Sequence, residues 1–154
     1  MMPSPVKVTH APHTGITVRS LGRAVHLFRD ILNLPVQRTG HLSPPISTIV
    51  GHPQAEIDMA IIELPGGHLL ELLEYKKPLQ REQDVLAPRS WEAVSWHLCL
   101  TVENLEETIG ALMQDDSGWT ALAEPQRLEK GPNAGKRLVY VRNEKDGLVL
   151  ELLE

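Results

Sequence analysis

Apolar positions alternate over residues 13–18, HTGITV, placing Ile16 and Val18 on one strand face and His13, Gly15 and Thr17 on the other. The period then changes. Ser20 is a helix N-cap residue, and Leu21, Ala24, Val25, Phe28 and Leu32 follow at helical spacing as one apolar stripe. Asn33 and Pro35 predict the end of that helix. A short strand over 36–40, a polar Pro-rich loop over 42–51 and a strand over 57–64 come next. Leu64-Pro-Gly-Gly67 predicts a turn into a further strand, HLLELLEY, over 68–75.

The same order is then written again. A shift of 84 residues lays His13-Thr-Gly-Ile-Thr-Val18 on His97-Leu-Cys-Leu-Thr-Val102. A shift of 80 lays Leu70-Glu-Leu-Leu-Glu74 on Leu150-Glu-Leu-Leu-Glu154, the second copy having shorter loops. Asn104 is the second cap, with Leu105, Ile109 and Leu112 as its stripe, stopping near Asp116-Ser-Gly118. A glycine-bounded loop over 131–135, a strand over 136–142 and a turn over 143–147 precede the last strand. Chance likeness between two leucine-rich strands is the simpler explanation, but the ordered agreement of His, strand, cap, helix and LELLE speaks against it. The pattern predicts an α+β fold of two βαβββ modules, 1–78 and 93–154, in one compact domain. A linker over 79–92, with Pro88 and mixed charges, should be exposed.

Strand parity turns LELLE into chemistry. Leu70 and Leu72 share the face that packs under the helix, so Glu71 points the other way, beside Leu69 and Leu73. Leu150 and Leu152 leave Glu151 in the same position. A carboxylate among leucines is costly to bury unless something pairs with it. His13 and His97 also lie opposite the helix-packing residues. Taken singly, such a Glu is more often solvent-facing and such a His more often structural. Recurrence of both residue types at matching positions favours a metal site of His13, Glu71, His97 and Glu151 if the two copies curl around one cleft.

Composition narrows the rest. The chain is 42% hydrophobic and 23% charged with net charge -5 and no basic stripe, so nucleic acid is not an expected partner. No apolar run approaches the ~18 residues that span a membrane. The opening MMPSPVKVTH has no signal-peptide core, and the single Cys99 fits a reducing compartment, so the expected location is cytoplasmic.

With HTGITV, GGHLLELLEY, SWHLCLTV and DGLVLELLE in place, the chain resembles the vicinal oxygen chelate superfamily over nearly its whole length. That family includes glyoxalase I, methylmalonyl-CoA epimerase, extradiol dioxygenases, fosfomycin-resistance enzymes and bleomycin-binding proteins. The resemblance implies a cupped eight-stranded mixed sheet around one divalent metal (nickel, cobalt, manganese, zinc or iron). It implies ligands at His13, Glu71, His97 and Glu151, with His10 the rival for the first. The His-Glu-His-Glu order is similar to glyoxalase I; dioxygenases generally have two His and one Glu, and epimerases usually Gln at the second position. It further implies a lyase or isomerase moving a proton α to a carbonyl of a small-molecule substrate, with Glu151 or Glu71 as base. The alternatives are an iron-dependent ring-cleaving dioxygenase and a non-catalytic small-molecule binder. Family members commonly pair, so a homodimer is expected, with Trp91 and Trp96 as interface candidates. Asn143-Glu-Lys-Asp-Gly147 departs from the family's usual Asp-Pro-Asp-Gly, which bears on loop shape and substrate choice.

Other residues are candidates by position. Cys99 shares the face of His97, with a packed thiol as the alternative to a functional one. Tyr140 and Arg142 share a strand face, and Arg142 could hold an anionic group if that face lines the cleft. Lys130, Lys136 and Arg137 could meet a phosphate or carboxylate. His68 falls on the face opposite Glu71, which argues against ligation.

Overall fold

The computed structural model describes residues 6–79 and 88–154. The chain divides into two units, Met1–Gln80 and Arg81–Glu154. Of the linker expected over 79–92, residues 80–87 lie outside the described residues.

The first unit runs β1 (His13–Thr17), α1 (Leu21–Val25), β2 (Val36–Leu42), β3 (Glu56–Glu63) and β4 (Leu69–Lys77). The sheet order is β1-β4-β3-β2. β1 runs parallel to β4, and the other pairs are antiparallel. The alternation read from the sequence holds: Ile16 and Val18 are buried, as are Leu70 and Leu72. Each such leucine contributes about 1.5–3 kcal/mol by leaving water. α1 packs against β3 and β4.

Two details differ from the sequence expectation. The helix continues beyond Val25 as a π-helical stretch, His26–Ile31. The Leu32 N–H reaches back five residues to the Leu27 carbonyl at 3.0 Å. The wider turn moves the stripe by one position, so Leu27 and Phe28 are both buried and Leu32 only half so. The helix still ends at Asn33, which takes φ 53. The loop over 42–51 holds a 3-10 helix, Ile46–Val50. It is pinned by the buried Ser47, whose hydroxyl donates to the Ala55 carbonyl at 2.5 Å.

The second unit runs β5 (Leu98–Thr101), α2 (Leu105–Met113), β6 (Trp119–Ala121), β7 (Gln126–Arg127), β8 (Arg137–Asn143) and β9 (Val149–Leu153). Its order, β5-β9-β8-β6, repeats the first sheet, with β7 as an additional short partner of β8. β5 and β9 are again the parallel pair. In the stripe of α2, Leu105 and Leu112 are buried, while Ile109 is half-buried. Buried Asn143 shapes the turn over 143–147. Its side-chain oxygen accepts the Asp146 N–H at 2.7 Å, and its side-chain amide donates to the Ser117 hydroxyl at 2.6 Å.

The internal repeat extends to individual dihedrals and bonds. Ser20 and Asn104 cap the two helices with the same φ -140 and ψ 111. The Ser20 hydroxyl accepts the Arg23 N–H at 3.2 Å, and Asn104 accepts the Glu107 N–H at 2.8 Å. The Val18 N–H bonds the Leu73 carbonyl at 2.8 Å, as Val102 bonds Leu153 at 2.8 Å. Among the described residues, no helix is long and apolar enough to cross a membrane.

Candidate functional site

The register places the candidate residues. β1 and β4 pair Gly15 with Glu71, and β5 and β9 pair Cys99 with Glu151. His13 and His97 stand two residues earlier, on the same faces as Gly15 and Cys99. In the first unit His13 Nε2 lies 3.4 Å from Glu71 Oε2, the side chains being 47% and 20% exposed. In the second His97 Nε2 lies 3.0 Å from Glu151 Oε2, at 42% and 21%. The same atom types meet, at similar distance and similar access to solvent.

Each pair brings two potential donors together. Each offers one imidazole nitrogen and one carboxylate oxygen, the donors that suit a divalent transition metal, and both donors are open enough to take one. The donor chemistry therefore fits the ion implied by the resemblance. Among the described residues, no three or more His, Cys, Asp or Glu side chains are gathered as a ready-made cluster.

Tyr140 distinguishes the two halves. At the register opposite Glu151 it donates its hydroxyl to Glu151 Oε2 at 3.2 Å and lies 3.3 Å from His97 Nε2. Its ring meets the imidazole edge-on, centroids 4.9 Å apart. Burial, then the Glu151 charge, raises the Tyr140 pKa above that of a free phenol. In the first unit the residue opposite Glu71 is Ile61, which has no hydrogen bond to give. Burial and then Glu151 likewise raise the Cys99 thiol, which disfavours a thiolate nucleophile. Gly15 occupies the matching position beside Glu71, and a Cβ there would stand 3.7 Å from Oε2.

The remaining candidates separate. Arg142 is buried, with its guanidinium donating to the Pro88 carbonyl at 3.1 Å and 3.5 Å from Glu144. Arg137 is engaged by Glu154 at 3.1 Å and by Glu106. His68 Nε2 lies 2.9 Å from the Thr14 hydroxyl, so it is turned from Glu71 as parity required. His10 is exposed ahead of β1. His97 and Tyr140 also line a cavity of about 370 Å³ formed by residues of the second unit.

Sequence reasoning missed the second Glu of each LELLE. Glu74 Oε2 accepts the N–H of Leu21, the first residue of α1, at 2.7 Å. Glu154 Oε1 accepts the N–H of Leu105, the first residue of α2, at 3.1 Å. The signal was present: three positions after Glu71 or Glu151 is the opposite strand face, the one under the helix. Each LELLE thus carries one carboxylate for the open face and one to cap its own helix.

Residues 12–140 match the model of the Glyoxalase/Bleomycin resistance protein/Dioxygenase superfamily. The chain belongs to that superfamily, the vicinal oxygen chelate proteins. A glyoxalase family protein from Bacillus cereus is similar over 99% of this chain and 98% of its own, at 20% identity and TM-score 0.78. The trypanothione-dependent glyoxalase I of Leishmania major is similar over 96% of this chain and 87% of its own, at 17% identity and TM-score 0.62. A glyoxalase/dioxygenase from Nostoc punctiforme is similar over 97% of both chains, at 16% identity and TM-score 0.58. At these identities the likeness is one of fold, and a fold hosts many chemistries. No curated protein matches by sequence.

Proposed function

We propose that the protein is a metal-dependent lyase or isomerase that moves a proton next to a carbonyl, with His13, Glu71, His97 and Glu151 as the ligands of one divalent ion. The observation that carries this reading is the recurrence of one His Nε2–Glu Oε2 pair, at 3.4 and 3.0 Å, on equivalent strands of both units. Four such donors differ from the two-His, one-Glu set general among ring-cleaving dioxygenases. A divalent ion held there supplies Lewis acidity, which acidifies a carbon beside a carbonyl.

The chain's own groups do the rest. A carboxylate oxygen of Glu71 or Glu151 takes the proton from that carbon and returns it at another face or another carbon. The Tyr140 hydroxyl anchors Glu151, whereas Ile61 gives Glu71 no such anchor, so Glu71 is the carboxylate that swings toward substrate. The test is deuterium uptake from solvent into carbonyl substrates, screened as thioesters on neutral carriers and, for comparison, as acyl-CoA compounds. Exchange that Glu71→Gln abolishes supports the reading. Oxygen uptake with a catechol, without exchange, replaces it by the dioxygenase reading.

A further inference from the structure

The cavity beside His97 and Tyr140 bears on what kind of substrate the site takes. Its walls are built by the second unit: Trp91, Leu122, Ala123 and Leu138 on the apolar side, Glu124 and Gln126 among the polar groups. Leu138 and Tyr140 lie on one face of β8, the face that bears Glu151 on β9, so within the second unit the cavity adjoins the His97–Glu151 pair. Its volume is about 370 Å³. A cavity of about 150 Å³ holds one benzene ring, so this one has room for a ring with a short chain. Trp91 is 83% exposed and Leu122 45%, so both present apolar surface that an occupant would cover.

The charges exclude as much as the walls admit. Among the described residues that line the cavity there is no Lys or Arg, and Glu124 is the one carboxylate. An anionic arm would lose part of its hydration against the apolar walls and meet a like charge at Glu124. A neutral apolar arm meets neither cost.

We propose that the substrate's non-reacting arm is a neutral aromatic or branched aliphatic group seated against Trp91, Leu122 and Leu138, and that the cavity discriminates against an anionic carrier. The proposal deepens the reading above and rests on it for the identity of the reacting end. It places substrate selection in the second unit, with Leu122 and Glu124 as specificity-determining residues.

A matched pair of fluorescent probes tests it: N-phenyl-1-naphthylamine, which is neutral, and 1-anilinonaphthalene-8-sulfonate, its anionic relative. Both are titrated against the full chain, with and without chelator. The neutral probe should bind saturably at one site per chain, at least tenfold more tightly than the sulfonate. Glu124→Gln should narrow that gap by strengthening sulfonate binding, and Leu122→Arg should reverse the preference. Glu124→Gln is an isosteric change at an exposed position, so the test stands even if Leu122→Arg does not fold. A sulfonate bound as tightly as the neutral probe overturns the proposal. So does neutral binding that neither Leu122→Arg nor Trp91→Ala weakens. Probe binding does not need the metal. Neutral preference in a protein that takes up no ion would therefore sink the catalytic reading and leave the cavity assignment standing, and a metal-loaded protein without the preference would do the reverse.

Discussion

Replacing Glu74 by Ala should cost more than its place near a strand end suggests. The carboxylate accepts the Leu21 N–H at 2.7 Å and forms an ion pair with Lys76. A hydrogen bond to a charged acceptor contributes about 1.5–3 kcal/mol, and charge at a helix N-terminus up to about 1 kcal/mol of overlapping benefit. The Glu74 side chain is 20% exposed, so water recovers part of the loss, and the expected destabilisation is about 1–2 kcal/mol. Lys76 is 43% exposed, and its ion pair accounts for at most about 0.5 kcal/mol. Glu74→Gln keeps an acceptor without the charge and should recover about half. Urea unfolding followed by circular dichroism measures this, since at about 2 kcal/mol/M the midpoint should fall by about 0.5–1 M for Glu74→Ala. Lys76→Ala is the control. A Glu74→Ala midpoint within error of wild type, or equal to that of Lys76→Ala, would refute the capping argument. Glu154→Ala should behave alike in the second unit, at Leu105.

Three further outcomes follow from the same structure. Leu72→Ala and Leu152→Ala, both fully buried, should each cost about 2–5 kcal/mol in the same unfolding experiment. Gly67 holds φ +89 with open space around it, so Gly67→Ala should cost about 1–2 kcal/mol through the backbone alone, readable as a lower thermal midpoint. The His41 hydrogen bond to Asp58, with Lys76 adding to it against partial burial, holds the Asp58 carboxyl below its ordinary value. The unfolded chain then takes up the proton first. The stabilisation is therefore present above about pH 4 and lost as pH falls through the folded value. Both side chains are at least one-third exposed, so the wild-type advantage over Asp58→Asn should stay under about 1 kcal/mol at pH 5–6 and vanish once the pH falls through the folded value.

Much of the fold was legible because the repeat supplied two readings of each element. Ser20 and Asn104 were readable as caps, since a short polar side chain before an apolar stripe satisfies an otherwise orphaned N–H. The faces of Glu71 and Glu151 followed from period two alone. The π-helical stretch was not readable: Leu27 and Phe28 differ from an ordinary stripe only in which of them is buried, and tertiary packing decides that. The 3-10 helix at Ile46–Val50 hides in a Pro-rich run whose order rests on one buried hydroxyl, that of Ser47. Glu74 and Glu154 escaped because a charged residue near a strand end reads as solvated until the helix above it is placed. Arg142 was readable as a cation on the face of Tyr140, but its burial depends on the Pro88 carbonyl 54 residues away.

The most direct test of the central claim is the metal content of the purified protein after incubation with nickel, cobalt, manganese, zinc or iron, beside Glu71→Ala and Glu151→Ala. About one divalent ion per chain, with affinity weakened at least tenfold in both variants, is the expected result if both carboxylates ligate one ion. A chain that takes up none of these ions, or that holds one with unchanged affinity in either variant, contradicts it.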